Sequence, residues 1–180
     1  MSTVNSKPYF LENNLSPEFV DLLLELEEKN VPESIRMSFE EITLLKSVQG
    51  LGFIIYANKK PVGAATILPS SEIKEYLDTV YDAPDIHHSK EEYLYIFSVF
   101  IESTVYAESR KDQIIDDFFK KCAKLGHTTV GTHMNKDNPL YVFLPLNKKG
   151  TERTPVKRKD ADPASIVPEG AGMEFIKFRL

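Results

Sequence analysis

The spacing of apolar and polar positions divides the chain into amphipathic helices and strongly apolar strands. Tyr9-Phe10-Leu11 is an apolar run of edge-strand length. At Ser16-Pro17 a helix is predicted to open, because Ser caps well and Pro at the first helical position gives up an N–H that has no intrahelical partner. Phe19, Val20, Leu23, Leu24 and Leu26 form its apolar stripe, Glu18, Asp21, Glu25 and Glu28 its wet face, and Pro32 stops it. A second helix is predicted from Ser38, where Glu41 completes a capping box; Ile42, Leu45 and Val48 follow at helical spacing and Gly50 ends it.

Two apolar runs, Phe53–Ala57 and Val62–Leu68, flank the four-residue polar turn Asn58–Pro61 and read as a β-hairpin. Gly63, Ala64 and Ala65 suit a strand that something packs closely against. Ile73, Tyr76, Leu77 and Val80 predict a helix over 71–81. Asp82–Glu92 reads as a polar connector holding His87-His88. Tyr93–Ile101 is apolar on both alternating faces, as a central strand is. Glu102–Arg110 reads as a loop and Lys111–Leu125 as a helix with Ile114, Ile115, Phe118, Phe119 and Cys122 inward and Gly126 as its cap. With the strand Thr128–Thr132 behind it, this predicts a parallel pair joined by a right-handed crossover. Pro139–Leu146 reads as a short helix ending before Pro145, residues 147–172 as a polar loop, and Glu174–Leu180 as a closing strand.

Length and composition narrow the class. The 180 residues, 42% of them hydrophobic, fit one domain over residues 1–180. No apolar run approaches the ~20 residues of a membrane helix, and the N-terminus lacks the basic-then-apolar order of a secretory signal. One Cys rules out an internal disulfide and a CxxC pair. These features predict a cytoplasmic protein with no membrane partner. The net charge of −5 argues against a surface coated for nucleic acid. Residues 145–159 carry a local +5, however. Lys148, Lys149, Arg153, Lys157, Arg158 and Lys159 read either as a mobile arm for a polyanion or acidic protein, or as a solvated loop.

The order of elements resembles the GNAT superfamily of acyl-CoA-dependent N-acyltransferases, an α/β fold with a mixed sheet, a splayed parallel pair and flanking helices. The likeness lies in the hairpin FIIYANKKPVGAATIL, the strand YLYIFSVFI, the helix KDQIIDDFFKKCAKLG, the strand HTTVGTHMN and the segment DNPLYVFL. It spans most of residues 9–144. The resemblance implies acetyl-CoA as cosubstrate, with its pantetheine arm along Val99, Phe100 and Ile101 and near Asn135. It implies a pyrophosphate site at Tyr106, Ala107, Ser109, Arg110 and Lys111, where the backbone and a helix N-terminus meet an anion. The family's R/Q-x-x-G-x-G/A loop has no glycine here, and Arg110 and Lys111 supply positive charge instead.

The resemblance also implies Tyr141 as the acid that protonates the leaving thiolate, Glu102 as a base at the end of the central strand, and His133 as a further proton-transfer group. Each has a bland counterpart: a core tyrosine ring, the first residue of a solvated loop, a packed imidazole. The four histidines make no metal set, since adjacent His87-His88 diverge on an extended segment, and His127 and His133 share only a strand face. Cys122 belongs to an apolar stripe and reads as buried and inert. The expected function is acetyl transfer from acetyl-CoA to a primary amine. The alternative is a non-catalytic GNAT-like module that recognises a protein or nucleic acid through its basic loop.

Overall fold

The computed structural model describes residues 9–33, 36–57, 59–102, 105–135, 144–159 and 172–180, with the side chains of 9–14, 57 and 105–111 left aside. Strand β1 (Tyr9–Asn14) leads into helix α1 (Pro17–Asn30), whose first turn is closed by Ser16 Oγ accepting from the Phe19 N–H. Helix α2 (Phe39–Ser47) carries the complete capping box, with Ser38 and Glu41 each bonding the other's backbone N–H. Strands β2 (Leu51–Ala57) and β3 (Lys60–Pro69) form the hairpin. Its turn is tighter than the four polar residues predict: Ala57 pairs with Lys60, and Lys59 takes the left-handed conformation at φ 64°.

Helix α3 (Ser70–Val80), the two-residue strand β4 (Tyr81–Asp82) and the one-turn helix α4 (Pro84–His87) precede the central strand β5 (Leu94–Ile101). Helix α5 (Val105–Lys124), strand β6 (Thr129–Asn135), strand β7 (Glu152–Arg158) and strand β8 (Met173–Arg179) complete the order. The eight strands run β1-β2-β3-β5-β6-β8-β7-β4 across one sheet, and β5–β6 is its parallel pair. The α/β architecture with a splayed pair is therefore present.

Two apolar layers sandwich the sheet. Against α5 lie Phe53, Ile67, Ile96, Ile114, Phe118, Phe119, Cys122, Val130 and Phe178. Against α1, α2 and α3 lie Phe19, Leu23, Leu45, Ile54, Leu68, Leu77, Tyr95, Phe100 and Phe175. Fully burying such a side chain contributes roughly 1.5–3 kcal/mol, so both layers help to hold the helices on the sheet.

Three expectations change. Helix α5 begins at Val105, not Lys111, so the expected loop is largely its first two turns. Ala107, Glu108, Arg110 and Lys111 are good helix formers, so the helix extends back through the polar run 108–113. The span 147–172 is not all loop: β7 pairs antiparallel with β8 and with β4. Its sequence, ERTPVKR, hides a strand because only Val156 is buried. The connector 82–92 contains α4. The predicted helix at Pro139–Leu146 falls mostly outside the described residues.

Candidate functional site

Strand β5 is held along its length by β3 but only briefly by β6. The parallel ladder consists of Leu94↔Val130 and Tyr95↔Gly131, after which the two strands part. Thr132 Oγ1 closes the base of the fork by donating to the Ile96 carbonyl at 3.0 Å. At the same level β5 carries a bulge: Thr66 faces Ser98 and Ile67 faces Ile96, leaving Phe97 as the extra residue. The bulge is pinned by Ser98, whose N–H donates to Thr66 Oγ1 at 3.1 Å while the two hydroxyls lie 2.7 Å apart. Consequently Phe97, Ser98 and Val99 are half-buried in a strand whose other residues are buried. Bulges re-aim side chains and interrupt pairing, and here one does so where a ladder opens.

The far arm of the fork is fixed by close backbone approach. Gly63 pairs with Ile101, and a Cβ at Gly63 would fall on the Phe100 carbonyl oxygen and lie 3.0 Å from the Ile101 Cα. Phe100 and Ile101 are both buried, on opposite layers, so only their backbone is available to a ligand. Glu102 is half-buried, its N–H bonded to the Val62 carbonyl at 2.5 Å. Asn135 ends β6 opposite Met173. Tyr106, Ala107, Ser109, Arg110 and Lys111 lie in the first turns of α5, beyond the end of β5. Tyr141 lies outside the described residues.

On the α1–α3 side, the bulge opens towards aromatic rings. Phe97 lies 6.1 Å from Tyr76 of α3 and 6.5 Å from Tyr95, centroid to centroid. Burial and then the neighbouring carboxylate of Glu41, which hydrogen-bonds it, raise the Tyr76 phenol above its usual range.

A cluster around His133, whose other members sequence reasoning missed, lies beside the fork. His133 Nδ1 is 2.9 Å from the Tyr95 hydroxyl, His133 Nε2 is 3.4 Å from His87 Nε2, and His87 Nδ1 is 2.7 Å from Asp78 Oδ1. The other carboxylate oxygen of Asp78 meets His88 Nε2, so the adjacent histidines converge on one carboxylate rather than diverging. Tyr81 stacks on the His133 ring at 3.9 Å and 4°, and Phe175 closes the other contact at 5.0 Å. His133 is buried, and desolvation followed by His87 pushes its imidazole down to about 3, well below the near-neutral value its residue type suggests. Burial drives the Tyr95 phenol well above its usual value. For Asp78, partial burial acts upwards, but hydrogen bonds from His87 and His88 win and hold the carboxyl below its usual value. His87 reaches His133 across 46 positions only because α4 turns back over the sheet; the pair HH alone gave no such signal.

No group of three or more metal-ligating side chains occurs among the described residues. Cys122 is buried, and burial raises its thiol to about 12, so it is no nucleophile. The basic segment is not a mobile arm over 152–158. Arg153 makes a forked pair with Glu174, at 2.8 Å from Oε2 and 3.2 Å from Oε1. Lys159 donates to the Asp78 carbonyl at 2.6 Å, and Lys148 sits 4.8 Å above the Phe119 ring. Lys149, Lys157 and Arg158 are exposed. No described helix is long and apolar enough to cross a membrane.

No protein-family model and no curated protein sequence matches the chain. Solved structures do. An N-acyl amino acid synthase from uncultured soil microbes superposes with a TM-score of 0.62 at 8% identity, covering 96% of this chain and 92% of its own. An acetyltransferase of the GNAT family from Streptococcus pneumoniae gives 0.53 at 13% identity, over 96% and 100%. Arabidopsis thaliana NAA60, in complex with acetyl-CoA, gives 0.51 at 13% identity, again over 96% and 100%. At these identities the likeness is one of fold, and the fold is that of the GNAT superfamily.

Proposed function

We propose that the protein is an acyl-CoA-dependent N-acyltransferase that moves an acetyl group from acetyl-CoA to an amine. The observation that carries this reading is the fork: a parallel pair that stops after two residues, beside a bulged central strand with Phe97–Val99 half-buried. An open strand edge of this kind pairs with an amide-bearing chain by strand addition, and pantetheine carries two amides. The GNAT structures of the same fold, one of them holding acetyl-CoA, support acetyl-CoA as the cosubstrate.

In this reading the backbone of Val99, Phe100 and Ile101 and the end of β6 at Asn135 flank the pantetheine arm. The α5 N-terminus, with Tyr106, Ala107, Ser109, Arg110 and Lys111, faces the pyrophosphate, the helix dipole offsetting the missing glycines. The acceptor enters on the α1–α3 side, where the faces of Tyr76 and Phe97 attract an ammonium group. Glu102 or His133 takes part in removing its proton, and Tyr141 protonates the thiolate. Attack by the free amine forms the C–N bond and breaks the C–S bond.

A thiol-release assay with acetyl-CoA and a panel of primary amines tests the reading: acetyl-CoA consumption that depends on one amine class supports it. Tyr141→Phe is then expected to lower kcat by 10²–10⁴, the usual worth of a general acid, with acetyl-CoA affinity unchanged. An unchanged kcat removes Tyr141 from that role.

A further inference from the structure

Asp78, His87, His133 and Tyr95 come from α3, α4, β6 and β5, and with the carboxylate ionised and both imidazoles neutral one order of protons satisfies every contact. An ionised carboxylate only accepts, so His87 donates from Nδ1 to Asp78 Oδ1 at 2.7 Å. Neutral His87 then has a bare Nε2, and the proton of the 3.4 Å contact belongs to His133 Nε2. His133 Nδ1 is thereby bare and accepts the Tyr95 hydroxyl proton at 2.9 Å. Every link points one way, from Tyr95 towards Asp78. The Tyr95 end also lies at the fork, since its hydroxyl oxygen accepts from the His133 N–H at 3.4 Å, two residues beyond the last rung of the β5–β6 ladder. The Asp78 end lies near the surface: its carboxylate is 32% exposed and its second partner, His88, is 50% exposed.

We propose that these four side chains form one proton-accepting unit, which takes the proton an acceptor ammonium must lose and delivers it to His87. The proposal rests on the acyltransferase reading. The ammonium proton moves to the Tyr95 oxygen as the Tyr95 proton moves to His133 Nδ1 and the His133 Nε2 proton moves to His87 Nε2. No electrons change hands; the amine recovers its lone pair, and Tyr95 and His133 end neutral. His87 ends as an imidazolium against the Asp78 carboxylate. The departing thiolate carries the amine's second proton, so one proton per turnover leaves through the surface end. Both rings are buried, but only His87 lies against a carboxylate, and that partner is why the unit stores the charge there and not at His133.

After uptake two of the three links reverse: His87 Nε2 donates to His133 and His133 Nδ1 donates to the Tyr95 oxygen, while His87 Nδ1 still donates to Asp78. The other polar or charged groups around the chain are Tyr81 of β4, stacked on His133; Tyr93, just before β5; Tyr76 of α3; His88 of α4; Arg158 of β7, opposite Tyr81; and Lys159, on the Asp78 carbonyl. Asp78 holds the only carboxylate bonded to the chain of rings among the described residues, so removing its charge weakens the whole unit as a base.

Nitrogen-15 histidine spectra of the unaltered protein test the proton order directly. At pH 7.5, His133 is expected as the Nε2–H tautomer and His87 as the Nδ1–H tautomer, with a through-hydrogen-bond coupling between the two Nε2 atoms. On mild acidification His133 is expected to stay neutral. An Nδ1–H tautomer at His133, or His133 charging first, overturns the unit. In turnover, Asp78→Asn is expected to lower kcat/KM at least tenfold and move its acidic limb to lower pH, leaving the KM for acetyl-CoA unchanged. An unmoved profile with wild-type turnover overturns the proton route while leaving acyl transfer intact. Failure of acetyl-CoA to bind overturns the acyltransferase reading and the unit's substrate, and leaves the measured proton order standing.

Discussion

Lowering the pH from 6.5 to 4.5 destabilises the native protein by about 2 kcal/mol through His133 alone. The imidazole sits near 6.5 in the unfolded chain and near 3 when folded, so between those values the unfolded state binds a proton that the native state refuses. The contribution is full above pH 6.5 and is lost as the pH falls towards 3, which is the direction expected of a base buried neutral. His133 is only 8% exposed, so solvent does not screen the effect away. Urea unfolding at the two pH values measures it. His133→Gln, whose amide can accept from Tyr95 and donate to His87, is expected to flatten this part of the profile. A stability that stays level from pH 6.5 to 4.5 in the unaltered protein would show that His133 is charged or exposed.

The second large effect lies at Gly63. Substitution by Ala places a Cβ against the backbone of Phe100 and Ile101, and backbone cannot rotate aside as a side-chain tip can. Overpacking of this kind costs about 1–3 kcal/mol, and Val is expected at or above the upper end. Because β5 must shift to relieve the contact, the outer arm of the fork shifts with it, and acetyl-CoA affinity falls together with stability. Gly172, where a Cβ meets nothing within 4 Å, is the control: its Ala variant stays within about 0.5 kcal/mol of the parent. Equal stabilities for the Gly63→Ala and Gly172→Ala variants would mean that β3 and β5 are not so closely joined.

Most of the scaffold was legible because local chemistry and burial agree along the chain. Ser16-Pro17 and Ser38–Glu41 mark helix starts by their own capping bonds, and β5 announces itself by being apolar on both faces. Gly63 also marks a close neighbour, which is the backbone of Phe100 and Ile101. The elements that escaped lack an apolar signature of their own. Strand β7 buries only Val156 and gains its partners from β8 and β4, and the first turns of α5 run through the polar stretch 108–113. The fork was legible only through the likeness of element order to a known fold, since nothing in the residues of β5 and β6 states where their ladder stops. Of the Asp78–His87–His133–Tyr95 chain only His133 was singled out, through the family likeness, and its partners were not legible. The chain joins positions 78, 87, 95 and 133 through the turn of α4, and each residue read alone is an ordinary surface acid, loop histidine or core aromatic.

Calorimetric titration of the protein with acetyl-CoA tests the fork as a cofactor site most directly. Saturable one-to-one binding is expected, with a rise in thermal stability equivalent to about 2.7 kcal/mol at a ligand concentration one hundred times Kd. Absence of both heat and stabilisation at millimolar acetyl-CoA would contradict it.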